Sequence, residues 1–268
     1  TLTMVLLPQG TAPGLIVILT MLAAVATGMI SSLLLAVACI NFKADQTLAG
    51  TALNMLATAA SMVIVKSVNK IRSNGTDFSA SLRYIEQQEA FIFKIGDLEC
   101  SWFVVVAIIL LIVSTIVLYK TKFGLRLRAC GEHPQAAGSV GINVYAMRYS
   151  GVIISGALGG LGGIIYVAAA VSTWDFKYGV AGMGFLALAV MIFGQWKPIK
   201  IALAAILFAI FRSLSNVYTG IDWLAKQQVN SYFYIMLPYI VSLIVLAFTS
   251  KKSRAPKAEG IPYDKGMR

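Results

Sequence analysis

The sequence is poor in charge, cysteine and histidine. Of its 268 residues only 12% are Asp, Glu, Lys or Arg, whereas a soluble domain usually has about 25%. Three scattered cysteines give no disulfide framework or metal-ligand spacing, and the single His133 has no partner for a metal cluster or a catalytic triad. The sequence contains no G-x-x-x-x-G-K-[ST] loop for ATP. These shortages exclude an ordinary soluble enzyme and a disulfide-rich secreted domain.

What the sequence does have is long apolar runs. Hydrophobic residues make up 58% of the chain, and the mean hydropathy is +0.79. A helix needs about 20 apolar residues to cross a bilayer core of about 30 Å. The runs predict an all-α polytopic membrane protein, a bundle of about seven transmembrane helices at 14–40, 47–65, 101–119, 149–172, 181–196, 201–219 and 232–250. The run 47–65 is weakly hydrophobic and 181–196 is short, so either could instead be re-entrant or broken.

The 22 Lys and Arg and the 11 Asp and Glu are distributed unevenly. The loop 120–148 has five basic residues against one acidic, the turn 197–200 has two lysines, and the tail 251–268 has six basic against two acidic. The segments 66–99, 173–178 and 220–231 are each net neutral. Because cytoplasmic loops collect Lys and Arg, the N-terminus as given is predicted outside and the C-terminus inside. The basic balance is thus a topology signal and gives no support to nucleic-acid binding.

These boundaries predict a transmembrane domain over 1–250 and a basic cytosolic tail over 251–268. Within the neutral outer segment 66–99, SLRYIEQQEAFIFKI mixes apolar and charged residues and is expected to lie on the membrane surface as a helix, or to be a simple lid or spacer.

The chain starts with TLTMVLL, which reads like the end of an earlier helix, so a missing first helix is expected. A short apolar leader is the alternative.

The loop 120–148 contains a signal for a short helix. Pro134 stands before short side chains that end at Ser139, and Gly141 and Asn143 follow. Proline in the first turn and glycine beyond the last are the expected helix boundaries. The small surface would let another protein approach closely, and an ordinary capped turn is the alternative.

Several motifs of the chain resemble a known family. GEHPQAAGSVGIN followed by SGALGGLGGIIY is similar to the coupling-helix region of bacterial ABC importer permeases for branched-chain amino acids, simple sugars and nucleosides. DQTLAGTALN, AGMGFLALAVMIFGQWKP and the ending LPYIVSLIVLAF…RAPKAEGIPY resemble its nucleoside and simple-sugar branch. The resemblance covers roughly residues 30 to 265. A stretch that usually precedes these motifs in the family, on a further helix, is absent from the sequence given, in keeping with the expected missing helix.

The resemblance implies an inner-membrane transport subunit that binds no cofactor itself. Two permease subunits, often different homologues, would form the pathway. Two cytosolic ABC ATPases with ATP and Mg would dock below, and an extracytoplasmic lipoprotein would deliver the solute to the outer side. The segment 132–143 would fit a cleft on the ATPase, and the residues implied for this coupling are Glu132, His133, Pro134, Ala136, Ala137, Gly138 and Gly141.

Glycines are concentrated in the run 149–172. Gly156/Gly160 and Gly159/Gly163 form small-xxx-small pairs, which let helix backbones pack closely in lipid. Packing within the bundle is the expected role, and a subunit interface or pathway lining is the alternative.

Candidates for the pathway are polar or aromatic residues in or beside the spans, because polar groups in a membrane tend to face an interior or a cavity. Gln46, Thr51 and Asn54 could pair with a nucleobase edge or simply bond between helices. Trp174 and Phe176 could stack on a base or belong to an interfacial aromatic belt. Arg212 could line the pathway or extend to lipid headgroups.

The substrate stays open between a nucleoside, a simple sugar and a vitamin such as riboflavin. An ion-coupled secondary transporter is a more distant alternative, because it would need intramembrane ionisable groups and the predicted spans contain no acidic one. Co-purification with an ATPase separates these classes.

Overall fold

The computed structural model describes residues 13–83, 92–95, 98–170, 173–180, 182–217 and 255–266, together with single helical turns between 232 and 244. The prediction of an all-α polytopic membrane protein is confirmed. The helices are α1 (Pro13–Ala36, continued by a π turn Val37–Asn41), α2 (Gln46–Arg72), α3 (Trp102–Lys120), α4 (Lys122–Glu132), α5 (Pro134–Ser139), α6 (Val144–Ala170), α7 (Met183–Phe193) and α8 (Pro198–Val217).

Four of these helices are long and apolar enough to cross a membrane. They are α1 with its π turn, α2, α3 and α6. Each of them overlaps a predicted span. The run 181–196 forms only the 11-residue helix α7, which is about 16 Å long and shorter than a bilayer core. Of the run 232–250, the structure describes only short pieces.

Helix α2 is longer than the predicted span 47–65. It is also continuous, in contrast to the alternative of a broken segment. It runs from Gln46 to Arg72 because Lys66, Lys70 and Arg72 continue the helix, and straight-chain basic residues are good helix formers. Lys70 and Arg72 lie in its last turn, where positive charge is favourable to the helix dipole. The predicted span stopped before Lys66, the first charged residue, but the helix continues beyond it.

The contacts divide the chain into two units, one of residues 1–110, 118–179 and 257–268, and one of 111–117 and 180–256. In the first unit, α1 and α6 pack antiparallel along their glycines. A Cβ added at Gly28 would meet the carbonyl of Gly156, and one at Gly160 would meet the carbonyl of Ala24. The two backbones are therefore in direct contact, which a larger residue at either position would prevent.

The first unit has two ends, between which its long helices run. At one, the strand end, β1 (Ser81–Arg83) pairs antiparallel with β4 (Thr173–Asp175), and β2 (Ile92–Ile95) pairs with β3 (Leu98–Ser101). At the other, the loop end, residues 41–46, 120–149 and 257–266 lie together. The described parts of the predicted outer segments 66–99 and 173–178 thus share one end, and the basic loop and tail predicted inside share the other. The third predicted outer segment, 220–231, lies outside the described residues.

The prediction of a surface helix over 81–95 is wrong for the residues described there. Leu82 is buried opposite Trp174 in the β1–β4 pair, and Ile92 and Phe93 lie in the β2–β3 hairpin. β-Branched and aromatic residues favour strands, and here they find partner strands. The β1–β4 partners are far apart in the sequence, so no local pattern shows their pairing.

The second unit contains a helical hairpin of α7 and α8. Leu186 and Val190 of α7 are buried against Ala204 and Phe208 of α8. Between the helices, Gln195 and Trp196 have φ values of 51° and 56°, the left-handed region that non-glycine residues rarely adopt. A tight turn of this kind brings two helices of the hairpin side by side.

Candidate functional site

The short helix α5 stands at the loop end between α4 and α6. Helix α4 is capped by Thr121, whose hydroxyl accepts a hydrogen bond from the amide of Gly124 at 3.1 Å, and it ends before His133, whose φ of −141° is not helical. Pro134 is then the first residue of α5, where its missing N–H costs nothing and its fixed φ suits the helix. The predicted helix over 134–139 is present with the same bounds.

The end of α5 is a Schellman motif. The amide of Gly141 donates to the carbonyl of Gly138 at 3.1 Å, and the amide of Ile142 donates to that of Ala137 at 3.1 Å. Gly141 has φ +86°, which a residue with a Cβ adopts only with strain. Asn143 follows, and its Oδ1 accepts the amide of Ala146 in the first turn of α6. Gly141 therefore ends α5 and separates it from α6.

The residues proposed for coupling divide by their exposure. Glu132, His133, Ala136 and Gly141 are exposed, and Pro134 and Gly138 are half-buried. Ala137, in contrast, is only 4% exposed and belongs to a cluster with Cys130, Val144 and Tyr263. Burial raises the pKa of the Cys130 thiol, which therefore stays neutral and packs as a small apolar side chain. A docking partner could touch the first set directly but not Ala137.

The tail of the chain covers the inner face of α5. The Tyr263 side chain is 7% exposed, and a Cβ added at Gly138 would lie 2.6 Å from its hydroxyl. The amide of Gln135 donates to the carbonyl of Asp264 at 2.8 Å. The small residues of α5 therefore make room for the tail of the same chain, which packs against them.

An ion pair joins the tail to the end of α1. The ammonium of Lys43 lies 2.7 Å from the carboxylate of Asp264. This hydrogen bond raises the pKa of Lys43 and lowers the pKa of Asp264, so both groups are charged at neutral pH. Both side chains remain nearly half exposed, and the pair orients the tail more than it stabilises it.

The polar pathway candidates on α2 lie on its exposed surface. Gln46 is the first residue of the helix, next to its N-cap Asp45. The Thr51 hydroxyl donates to the carbonyl of Leu48 at 2.9 Å, and Asn54 is exposed one turn further on. All three side chains could reach a ligand or a partner helix.

The aromatic candidates lie at the strand end, in β4 and in the turn that follows it. Trp174 packs edge-to-face on Tyr166 with ring centroids 5.5 Å apart and contacts the buried pair Phe103 and Ile164. The backbone amide of Phe176 donates to the carbonyl of Ala80 at 3.0 Å, and its side chain is half-buried. Trp174 therefore contributes to the packing of its own chain. The turn that contains Phe176 packs on α2, where a Cβ added at Gly179 would lie 3.2 Å from the hydroxyl of Thr58, one helical turn beyond Asn54. Arg212 is half-buried on α8, in the second unit.

Comparison with known proteins identifies the family. Residues 1–247 match the family described as the permease component of the branched-chain amino acid transport system. The chain belongs to this family. It is a multi-pass permease of the bacterial inner membrane, a transport subunit, as its motifs indicate.

The permease spans about three quarters of the length of two nucleoside permease proteins to which it is similar. It is 42% identical to the guanosine ABC transporter permease protein NupQ of Bacillus subtilis, over 93% of this chain and 78% of that one. It is 40% identical to the nucleoside ABC transporter permease protein NupC of Lactococcus lactis, over 89% and 75%. NupB, a second nucleoside permease protein of Lactococcus lactis, is 27% identical over 60% and 44%. No solved structure matches the chain significantly.

The four glycines proposed for packing in the permease fall on two faces of α6. Gly156 and Gly160 face α1, beside Ser32 and Ala24. Gly159 and Gly163 have no atom of the described chain within 4 Å of where a Cβ would stand. Gly156 and Gly160 therefore serve packing within the chain, whereas the face of α6 with Gly159 and Gly163 is uncovered in the described structure.

Sequence reasoning missed the part that Tyr263 and its neighbours play in the permease. Tyr145 packs edge-to-face on Tyr263 with centroids 5.3 Å apart, and the Arg148 guanidinium donates to the carbonyl of Ile261 at 3.0 Å. The only local signal was Ile-Pro-Tyr, an apolar and aromatic tripeptide within a charged tail. Helix α4 was missed as well, although its Leu and Arg residues favour a helix.

Proposed function

We propose that this chain forms half of the translocation pathway of an ATP-driven importer for nucleosides. The names of two relatives that are at least 40% identical over most of the chain support this substrate, because one is a guanosine and the other a nucleoside permease protein. A purine or pyrimidine nucleoside offers donors and acceptors that exposed amides and hydroxyls such as those of Gln46, Thr51 and Asn54 can pair with.

The observation that carries the ATP-driven mechanism is the exposed helix α5. It is six residues long and stands between two helix ends at the basic loop end, with Glu132, His133 and Ala136 exposed along it. A partner ATPase that closes on ATP would push on this helix, and the push would tip the attached spans between inward-open and outward-open states. ATP and Mg would be bound by that partner.

The further partners we propose are a second permease subunit and an extracytoplasmic binding lipoprotein. Lactococcus lactis has two different nucleoside permease proteins related to this chain, which favours a pair of unlike subunits. The lipoprotein would dock at the strand end, which has the neutral segments predicted outside.

Uptake by the reconstituted transporter tests the substrate. The permease is co-expressed with its ATPase, second permease and binding lipoprotein, and ATP-dependent uptake of labelled guanosine, adenosine, ribose and riboflavin into proteoliposomes is measured. Nucleoside uptake that unlabelled nucleoside competes away is the expected result. Uptake of ribose or riboflavin without nucleoside would overturn the substrate assignment, and uptake driven by an ion gradient without ATP would overturn the mechanism.

The substitution Glu132→Lys tests the coupling helix. Because Glu132 is exposed at the start of the coupling segment, reversing its charge should weaken ATPase docking and reduce uptake at least about five-fold. Lys66→Glu, a charge reversal at an exposed site of α2 near the strand end, is the matched control and should leave ATPase docking intact. Equal co-purification of the ATPase and normal uptake in Glu132→Lys would contradict the coupling role.

A further inference from the structure

Residues Lys257–Gly266, here called the tail segment, are attached to the loop end by a continuous set of contacts. The amide of Ala258 donates to the carbonyl of Gly131 at 2.9 Å, at the end of α4. The Tyr145 hydroxyl donates to the carbonyl of Tyr263 at 3.3 Å, and the Tyr263 ring is buried among α4, α5 and the start of α6. This segment is therefore a fixed part of the loop end, although it follows the last predicted span.

The tail segment adds to the direct packing of Ala137 on Val144 a set of contacts that join α5 to α1 and α6. Through Asp264 it contacts Lys43 beyond the end of α1, and through Ile261 and Tyr263 it contacts Arg148 and Tyr145 of α6. Through the backbone of Asp264 it accepts a hydrogen bond from Gln135 of α5. Helices α1 and α6 are already in backbone contact through Gly28, Gly156 and Gly160. The tail segment thus connects α5 to the tightest helix pair of the unit.

A six-residue helix between two hinges is a poor transmitter of force on its own. Extended His133 stands on one side of α5 and Gly141 with its positive φ on the other. A force applied to the exposed face would tend to rotate α5 about these two points, against its packing on Cys130 and Val144. The Tyr263 ring against Ala137 and Gly138 blocks this rotation, because close-packed groups transmit displacement instead of absorbing it.

We propose that the tail segment is a brace for the coupling helix, with Tyr263 as its positioning residue. The brace makes α5, α1 and α6 move as one body when the ATPase pushes on α5. It rests on the proposed function, since it assumes an ATPase at the exposed face of α5. The brace would not touch nucleotide or substrate, and its loss would separate ATP hydrolysis from transport.

The experiment compares Tyr263→Ala, Tyr263→Phe and Lys265→Ala in the complete reconstituted transporter. The readout is the ratio of nucleoside transported to ATP hydrolysed, together with co-purification of the ATPase. Tyr263→Ala should lower this ratio at least about five-fold while the ATPase still co-purifies. Tyr263→Phe keeps the packed ring and should restore the ratio, and Lys265→Ala changes an exposed side chain of the same segment and should leave it unchanged.

A milder pair of variants covers the case in which Tyr263→Ala does not accumulate. Asp264→Lys places two cations together at an exposed site and should lower the ratio about two-fold, and adding Lys43→Asp should restore it. Wild-type ratios in both Tyr263→Ala and Asp264→Lys would overturn the brace. If the wild-type chain neither retains an ATPase nor shows ATP-dependent uptake, the proposed function fails instead, so the two failures are distinct.

Discussion

Helices α6 and α2 have the same length but very different surroundings. Each is 27 residues long, each reaches the same mean hydropathy over its most apolar stretch, and each begins with an Asn or Asp side chain that accepts backbone amides. Helix α6 packs Gly156 and Gly160 on α1 and its first turn on the tail segment. The first third of α2, from Gln46 to Asn54, is largely exposed.

The coupling helix and the polar surface of α2 are therefore two different kinds of site. The surroundings of the coupling helix are built by this chain alone, because α4, α5, α6 and the tail segment bury one another. The polar surface of α2 is presented outward, where lipid, a second permease subunit or the substrate pathway can meet it. Coupling and pathway are therefore expected to respond differently to substitution, one through folding of this chain and the other through assembly.

The largest expected effect comes from Gly160→Leu on α6. A side chain at Gly160 would meet the backbone carbonyl of Ala24, which cannot move aside as a flexible side chain can. Overpacking of this kind costs about 3 kcal/mol, which lowers the melting temperature by roughly 10 °C. Thermal unfolding of the purified protein in detergent measures the change.

Gly159→Leu is the matched control for that substitution. Gly159 lies one position along the same helix with open space where its Cβ would stand, so the melting temperature of the isolated chain should change by less than about 2 °C. If Gly159→Leu unfolds the chain as readily as Gly160→Leu, glycine is needed for the helix itself and not for contact with α1. If it instead prevents association with the second permease, the open face is a subunit interface.

The same comparison shows how far local sequence patterns reach. The apolar spans and the helix over 134–139 were predictable, because residue periods, Pro134 and Gly141 act within one or two turns. The burial of Tyr263 was not, because its partners Ala137 and Tyr145 are more than a hundred residues away in the sequence. The β1–β4 pair, whose strands are also far apart in sequence, was missed for the same reason.

An intermediate effect is expected from Asn69→Leu near the end of α2. Asn69 is buried, and its amide nitrogen donates to the carbonyls of Ser79 and Ser81 at 3.1 and 2.9 Å. Losing it removes both hydrogen bonds, at a cost of about 1–2 kcal/mol. Hydrogen exchange should rise over 77–83 and over the β4 strand but stay unchanged at the loop end. Ser67→Ala, an exposed hydroxyl on the same helix, is the control, and equal exchange in both variants would show that Asn69 does not hold the strand end.

The smallest expected effect is that of Asp45→Ala at the start of α2. The Asp45 carboxylate accepts the amides of Thr47 and Leu48 at 2.8 and 3.0 Å, and loss of such a cap costs about 1 kcal/mol. Because the neighbouring surface of α2 is exposed, little else in the chain holds this turn, so hydrogen exchange should rise over 46–50 and the melting temperature should fall by about 3 °C. Gln46→Ala leaves the cap in place and should keep the wild-type exchange. Should Asp45→Ala leave exchange at these amides unaltered, contacts beyond the cap already fix the start of α2, and the contrast with α6 would be smaller than the exposed surface indicates.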